Sequence, residues 1–270
     1  MDPALAALLG ALQGLTEFLP VSSSGHVSMG AFFWGVPDMS LSMVIVVHAG
    51  TLLATLLVIG RDVGQLAART AHGLSSPAAF LKTDEGRVVA GVVLATVPTA
   101  IIGLSIKDLV EHWSRSPTFI ASCFLVTAAV LWTTRRSAGG EKVSLTYVGY
   151  ALIGVAQGIA VLPGISRSGM TIAAAMALGM KPGEAFRFSF LLSLPAVFGA
   201  VVLELRDPSV LASLGTAAWI AGSVATVVGW ACLLLLRRLV DGGRLYAFSF
   251  YLVPVGLGLL IWDLTRTVSP

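Results

Sequence analysis

Apolar residues in this chain fall into eight regions separated by short polar segments. Six regions are uninterrupted and close to the ~20 residues that a membrane-crossing helix needs: 40–60, 88–106, 117–134, 186–205, 214–236 and 246–264. Pro98, Pro195 and Pro254 lie within three of them, where bends are expected and neighbouring helices can satisfy the freed carbonyls. The other two regions, 2–34 and 145–178, are too long for one crossing. Each is broken in its middle by proline, glycine and serine: Leu19-Pro20-Val21-Ser22-Ser23-Ser24-Gly25 in the first, and Leu162-Pro163-Gly164-Ile165-Ser166-Arg167-Ser168-Gly169 in the second. The pattern predicts helix, irregular turn, helix. Non-helical backbone at membrane depth survives only where protein or a water-filled cavity surrounds it, so each region is expected to be a re-entrant hairpin. The fold class predicted is an all-α integral membrane protein of six full transmembrane helices plus two re-entrant helix-loop-helix hairpins.

The two hairpins resemble each other. Gln13-Gly14-Leu15 echoes Gln157-Gly158-Ile159, Leu19-Pro20 echoes Leu162-Pro163, and Ser22 to Gly25 echoes Ser166 to Gly169. The span ending at Arg61-Asp62 echoes the one ending at Arg206-Asp207. Residues 1–270 are expected to form a single membrane domain of two repeats, 1–134 and 145–266, each reading hairpin, span, span, span. An odd number of spans per repeat makes the two copies inverted, and inverted repeats with broken helices place a polar site at the repeat interface near the midplane.

Composition supports the membrane assignment. The chain of 270 residues is 56% hydrophobic and 11% charged, against about 25% charged in a soluble domain, and its mean hydropathy is +0.88. The net charge of +3 and pI near 9.1 do not point to nucleic acid; basic loops on such a protein report orientation. With three spans per repeat, one face receives Arg61, Arg69, Lys82, Arg87, Arg135, Arg136, Lys142, Lys181, Arg187, Arg237, Arg238 and Arg244, and the other only Lys107, Arg115, Arg206 and Arg266. The richer face is expected in the cytoplasm, with both termini outside. The N-terminus lacks the basic start of a signal peptide and is read as part of the mature fold. Residues 61–87 are expected to be the longest polar loop, and 135–144 a basic linker. Cys123 and Cys232 sit in apolar stretches and are expected to be unpaired packing residues. Trp34, Trp113, Trp132 and Trp262 fall near span ends, as interfacial tryptophans do.

Few ionisable residues lie well inside the apolar regions, away from their ends: Glu17, His26, His48 and Arg167. Such groups are candidates for function, with a partner expected. Glu17 and Arg167 can compensate each other if the hairpins meet, either as part of a site or as a strut joining the halves. Gln13 and Glu17, four residues apart, share a helix face and offer oxygens to a magnesium or calcium ion; Gln13 alone is equally well an interhelical hydrogen-bonding group. Ser22, Ser23 and Ser24 can cap a helix and pack closely. Ser23 and His26, three apart, can also face one point as nucleophile and base. In the second hairpin Gly164 and Gly169 let the backbone curl toward an anion, the helix that follows points its N-terminus there, and Arg167 can clamp a phosphate bidentately. Ser166, Ser168 and Thr171 can add hydroxyl donors; the plainer alternative is a capped turn with Arg167 only as a counterion. Ser22, Ser24 and His48 are expected to support the site from behind.

Gln13-Gly-Leu-Thr-Glu17-Phe-Leu-Pro-Val-Ser-Ser23-Ser-Gly-His26 together with Pro163-Gly-Ile-Ser-Arg167-Ser-Gly-Met-Thr171 resembles the bacitracin-resistance family of undecaprenyl-diphosphate phosphatases, with the hydropathy pattern matching over essentially the whole chain. The resemblance implies a divalent-cation-dependent enzyme of the bacterial inner membrane. It implies removal of the terminal phosphate of undecaprenyl diphosphate, which recycles the lipid carrier for cell-wall synthesis and confers bacitracin resistance, at a site opening outward. It also implies roles: Glu17 as the essential carboxylate, Ser23 as nucleophile, His26 as base or acid, and Arg167 as phosphate ligand. The family's first motif begins with Glu or Gln; Gln13 brings a neutral oxygen to the metal. In the expected mechanism Ser23 attacks the terminal phosphorus with help from His26, with direct attack by water as a variant. A transporter or flippase of the same lipid is the rival from another class, since broken helices in inverted repeats are a transporter design. The Ser23-His26 pair beside Glu17 favours the enzyme. The expected partners are the polyprenyl diphosphate and the bilayer, with a homodimer left open.

Overall fold

A computed structural model of the chain describes residues 2–34, 41–137, 139–204, 206 and 214–268. Asp207, in the second half of one repeat echo, and the side chain of Trp34 lie outside the described residues. Both long apolar regions fold as helix, turn, helix. The first comprises α1 (Pro3–Phe18) and α2 (Ser23–Trp34). Asp2 caps α1, its Oδ1 accepting from the Ala4 amide at 2.9 Å. The helix stops at Leu19, which is extended (ψ 142°) because Pro20 disfavours helical backbone in the residue before it. The second region comprises α8 (Tyr147–Ile159) and α9 (Arg167–Ala177), capped by Thr146 and Ser166 through the amides of Gly149 and Gly169.

Six long helices accompany them: α3 (Leu41–Gly73), α5 (Asp84–Ser105), α7 (Pro117–Thr133), α10 (Pro182–Glu204), α11 (Thr216–Asp241) and α12 (Ser249–Val268). Among the described residues, 5 helices are long and apolar enough to cross a membrane. α10 is the one not counted. Glu184 and Arg187 open it, and Ser189 and Ser193 follow. α5, α10 and α12 run through Pro98, Pro195 and Pro254.

Two expectations need correction. Residues 61–87 are not mainly loop: α3 continues past the end of its apolar run to Gly73, and α4 (Pro77–Phe80) follows. Helix propagation adds one hydrogen bond per residue, so a polar segment after a stable span extends it until a breaker arrives. α6 (Lys107–Trp113) was not expected; its seven residues include Lys107, Asp108 and Glu111 and fall below any hydropathy threshold.

α1 packs on α11, and α8 packs on α5. Close approach requires glycine at both contacts: a Cβ on Gly10 would land on the Ala221 carbonyl, and one on Gly154 on the Ala95 carbonyl. α3 also lies against α11, α7 against α12, and α10 against α9 and α3. The core between them holds Phe18, Tyr150, Ile153, Phe186, Phe188 and Phe190, all buried. Cys123 and Cys232 are free, as expected. One end of the bundle gathers several basic segments. Arg187 pairs with Asp62 at 3.5 Å, the Lys142 amide donates to Gly179 at 3.0 Å, and Tyr147 reaches the Leu81 carbonyl. Trp132 lies under Arg135, and Trp262 under Arg266.

Candidate active site

The turns of the two hairpins touch. The Gly164 amide donates to Ser22 Oγ at 3.2 Å, and Ser168 Oγ donates to the Phe18 carbonyl at 3.0 Å. Arg167 Nη2 donates to Glu17 Oε1 at 2.7 Å across the junction. The two side chains are 24% and 11% exposed, so the pair is shielded without being dry. Ser22 adopts φ 70°, a left-handed conformation that costs a non-glycine residue about 1–2 kcal/mol. Its hydroxyl also accepts from the Gly25 amide at 3.4 Å, so it caps α2 while bridging to the other hairpin.

Beside this junction is a cavity of about 230 Å³. Thr16, Glu17, Ser22, Ser23, Ser24, Ser166 and Arg167 are among the residues that line it. Glu17 is the hub. Its Oε2 accepts from Ser23 Oγ at 2.9 Å and from Gln13 Nε2 at 3.1 Å, while Oε1 is held by Arg167. Both α2 and α9 begin at the cavity wall, so two helix N-termini converge there with one guanidinium. Free N-terminal amides and the aligned peptide dipoles make such a place favourable for an anion.

His26 is not joined to Ser23. Its Nδ1 donates to the Ser22 carbonyl at 2.8 Å, and its Nε2 accepts from the Tyr251 hydroxyl at 2.8 Å. The ring stacks on Tyr251, with centroids 5.8 Å apart, and leans on Phe124. Helical spacing did put Ser23 and His26 on neighbouring faces, but the packing of α12 against α7 supplied His26 with a closer partner. The Ser23 proton points to Glu17 instead.

The glycine-serine turn of the second hairpin also differs from the anion cradle expected of it. Gly164 takes φ +94°, as its position in the turn requires. Its amide goes to Ser22, and the Ser166 amide donates to Thr127 Oγ1 at 3.3 Å. The Gly169 amide is capped by Ser166 Oγ at 3.1 Å. These groups hold the turn together and are not free for a ligand; the amides of Arg167 and Ser168, at the start of α9, are the ones left by the capping geometry. Thr171 is fully buried and locks α9 to α10 through Ser189 at 2.5 Å. Ser168 joins the hairpins, so of the three expected hydroxyl donors only Ser166 borders the cavity. Ser24 is exposed toward it. His48 donates from Nδ1 to the Val44 carbonyl one turn back and does not line the cavity.

A divalent cation would meet one carboxylate here. Among the described residues there is no group of three His, Cys, Asp or Glu side chains that could enclose a metal. Magnesium, however, is commonly held by one or two carboxylates with substrate phosphates and water filling its other positions, and Glu17 at the cavity wall suits that mode. Gln13 presents its amide nitrogen to Glu17 and is buried behind it, so in this arrangement it orients the carboxylate and offers no oxygen to a cation.

The sequence model of bacitracin resistance protein BacA matches residues 6–258. The chain belongs to the BacA family. Relatives named undecaprenyl-diphosphatase extend over nearly the whole length. The one from Desulforapulum autotrophicum is 43% identical over 93% of this chain and 94% of its own, and the one from Desulfosudis oleivorans 42% over 97% and 98%. That from Korarchaeum cryptofilum is 35% identical over 96% of this chain and 99% of its own. These names agree with a phosphatase and not with a transporter. Within this BacA-family chain, Tyr251 and Thr127 were missed by reading the sequence. Tyr251 lies 225 residues from His26, and no local pattern marks it. Thr127 is one of several hydroxyl residues in its span, with Thr118, Ser122, Thr133 and Thr134, and only its place near the middle of the span distinguished it.

Proposed function

We propose that this chain hydrolyses undecaprenyl diphosphate to undecaprenyl phosphate and inorganic phosphate. The observation that carries the reading is the cavity where two helix N-termini and Arg167 meet a serine hydroxyl already hydrogen-bonded to a carboxylate. An anionic head group is favoured there, and the apolar surroundings suit a prenyl tail. Arg167 and the first amides of α2 and α9 hold the diphosphate. Ser23 Oγ attacks the terminal phosphorus, its proton passes to Glu17, and the bond to the bridging oxygen breaks with the lipid monophosphate leaving. Water then attacks the phosphoserine and the P–Oγ bond breaks: Glu17 returns its proton to Ser23 Oγ, inorganic phosphate leaves, and the proton lost by the attacking water passes to solvent. A divalent ion bound at Glu17 would supply charge neutralisation for the phosphate oxygens. His26 and Tyr251 position α2, and Gln13 and Arg167 orient Glu17.

Hydrolysis with and without Ser23 tests the scheme. Purified protein should release inorganic phosphate from a prenyl diphosphate, and rapid quenching should trap labelled phosphate on Ser23. Ser23→Ala should lose the trapped label and nearly all turnover. Near-normal turnover in Ser23→Ala would eliminate the covalent step, and no release with magnesium or calcium would remove the enzyme reading.

The finer architecture is part of the same proposal. α10 serves as the sixth crossing, and the halves 1–134 and 145–266 are inverted copies. Supporting this, Ser22 and Ser166 each cap a glycine amide three residues on, and α1 on α11 mirrors α8 on α5. The cationic residues divide twelve to four between the two faces, which favours cytoplasmic placement of the richer end in a bacterial inner membrane. Both termini and the site then open outward. Labelling of a cysteine introduced at Lys82 from outside intact cells would reverse that orientation.

A further inference from the structure

A second cavity, of about 570 Å³, lies at the basic end of the bundle and shares no lining residue with the site between the hairpins. Its walls come from the loop before α5 (Lys82), the first turn of α5 (Arg87), the segment leading into α8 (Lys142, Thr146) and the start of α8 (Tyr147). These walls are tied together. The Lys142 amide donates to Gly179 at 3.0 Å, and the Lys181 amide to Lys142 at 2.9 Å. Lys142 Nζ donates to the Leu178 carbonyl at 2.9 Å, and Ser144 holds Asp84 at 2.6 Å. Asp84 is held by the Ser144 hydroxyl and pairs with none of these cations. Among the described residues no carboxylate lies within salt-bridge distance of Lys82, Arg87 or Lys142. The start of α8 forms part of the wall. Thr146 caps the Gly149 amide, leaving the first amides of α8 to an external acceptor.

α8 leads away from this cavity with Val148, Leu152, Val155 and Ile159 exposed. Their spacing places them in one stripe. At 1.5 Å rise per residue the stripe is roughly 16 Å long, about half the ~30 Å hydrocarbon thickness of a bilayer. A three-cation cavity at the start of α8, with an apolar stripe about one leaflet long on the same helix, matches a molecule with an anionic head and an acyl tail. We propose that this cavity binds the phosphate head group of an anionic phospholipid, whose tail lies along α8, at a place separate from the hydrolytic site. Basic pockets between helices at the membrane surface recognise head groups in this way. The charges select the head group, and the α8 dipole adds to them.

The test uses the full chain purified in detergent, with native mass spectrometry to read bound lipid after addition of equal dioleoyl-phosphatidylglycerol and dioleoyl-phosphatidylcholine. The unaltered protein should retain phosphatidylglycerol preferentially. Lys82→Ala/Arg87→Ala should reduce its retention at least tenfold, and Arg135→Ala/Arg136→Ala, at another basic patch, should leave it unchanged. Single Lys82→Gln and Arg87→Gln variants, each checked for an unaltered unfolding temperature, give the same reading with less disturbance. Equal retention by the folded Lys82 and Arg87 variants would overturn the proposal, as would equal loss in the Arg135/Arg136 variant. Full displacement of the lipid by millimolar inorganic phosphate would overturn it too, since the tail would then contribute nothing.

Discussion

Neutralising Glu17 and Arg167 singly and together separates a chemical role for the pair from a purely structural one. The partners are 2.7 Å apart and 11% and 24% exposed. Removing one member of a buried pair costs about 3–5 kcal/mol because the survivor is left uncompensated, whereas exposed pairs contribute about 0–1 kcal/mol. The cavity beside Arg167 admits water, so Glu17→Gln and Arg167→Gln should each cost about 2–3 kcal/mol. The double variant has no orphaned charge and should lie only about 1 kcal/mol below the parent, a coupling of about 3–5 kcal/mol between neighbouring sites. Unfolding can be followed with a thiol-reactive fluorophore at Cys123, which is free and buried in the folded chain, with the half-buried Cys232 replaced by serine. Phosphate release is measured on the same samples. Arg167→Gln should lower kcat/KM about ten- to hundredfold from loss of a charge-assisted contact worth about 1.5–3 kcal/mol. The double variant should regain stability and stay inactive. If its costs were simply additive, the charge-compensation argument would fail; if it regained turnover, the pair would be a strut.

Ser22→Ala should leave the Gly164 amide without its acceptor and destabilise by about 1–3 kcal/mol. Ser22→Gly loses the same bonds but relieves the left-handed strain, so it should unfold above Ser22→Ala; the reverse order would dismiss that strain. Tyr251→Phe keeps the ring on His26 but removes the hydroxyl, and should cost about 0.5–1.5 kcal/mol in stability. Its effect on turnover should stay well short of that of Ser23→Ala, and an equal loss would return His26 to the chemistry. Gly10→Val should prevent α1 from seating on α11 and abolish folding yield, whereas valine at Gly60, where a Cβ meets nothing within 4 Å, should be tolerated. Chelating divalent cations should stop phosphate release without lowering the unfolding temperature, because a one-carboxylate site contributes little to the fold.

The hairpins were legible because proline, glycine and serine interrupt apolar runs too long for one crossing, and because Glu17 and Arg167, charges of opposite sign in apolar surroundings, needed each other. The hydrogen bonds inside the site were less legible. Ser23 has Glu17 six residues before it and His26 three after it, and the bond went to the more distant one because α12 delivered Tyr251 to His26. In the same way, Gly164–Gly169 has the composition of an anion-binding turn, yet Ser22 and Thr127, brought by other elements, consume its amides. The extent of α3 was hidden for a different reason: hydropathy marks where a helix leaves lipid, not where it ends.

The crossed packing of α1 on α11 and α8 on α5 has a consequence for the birth of the protein. Glu17 leaves the ribosome 150 residues ahead of Arg167. At roughly 5–20 residues per second, that interval is about 8–30 s. During it, the first hairpin carries an uncompensated carboxylate, and the α11 surface that Gly10 requires is still unmade. The Glu17–Arg167 pair and the seating of α1 on α11 can therefore form only after the second half of the chain has been made.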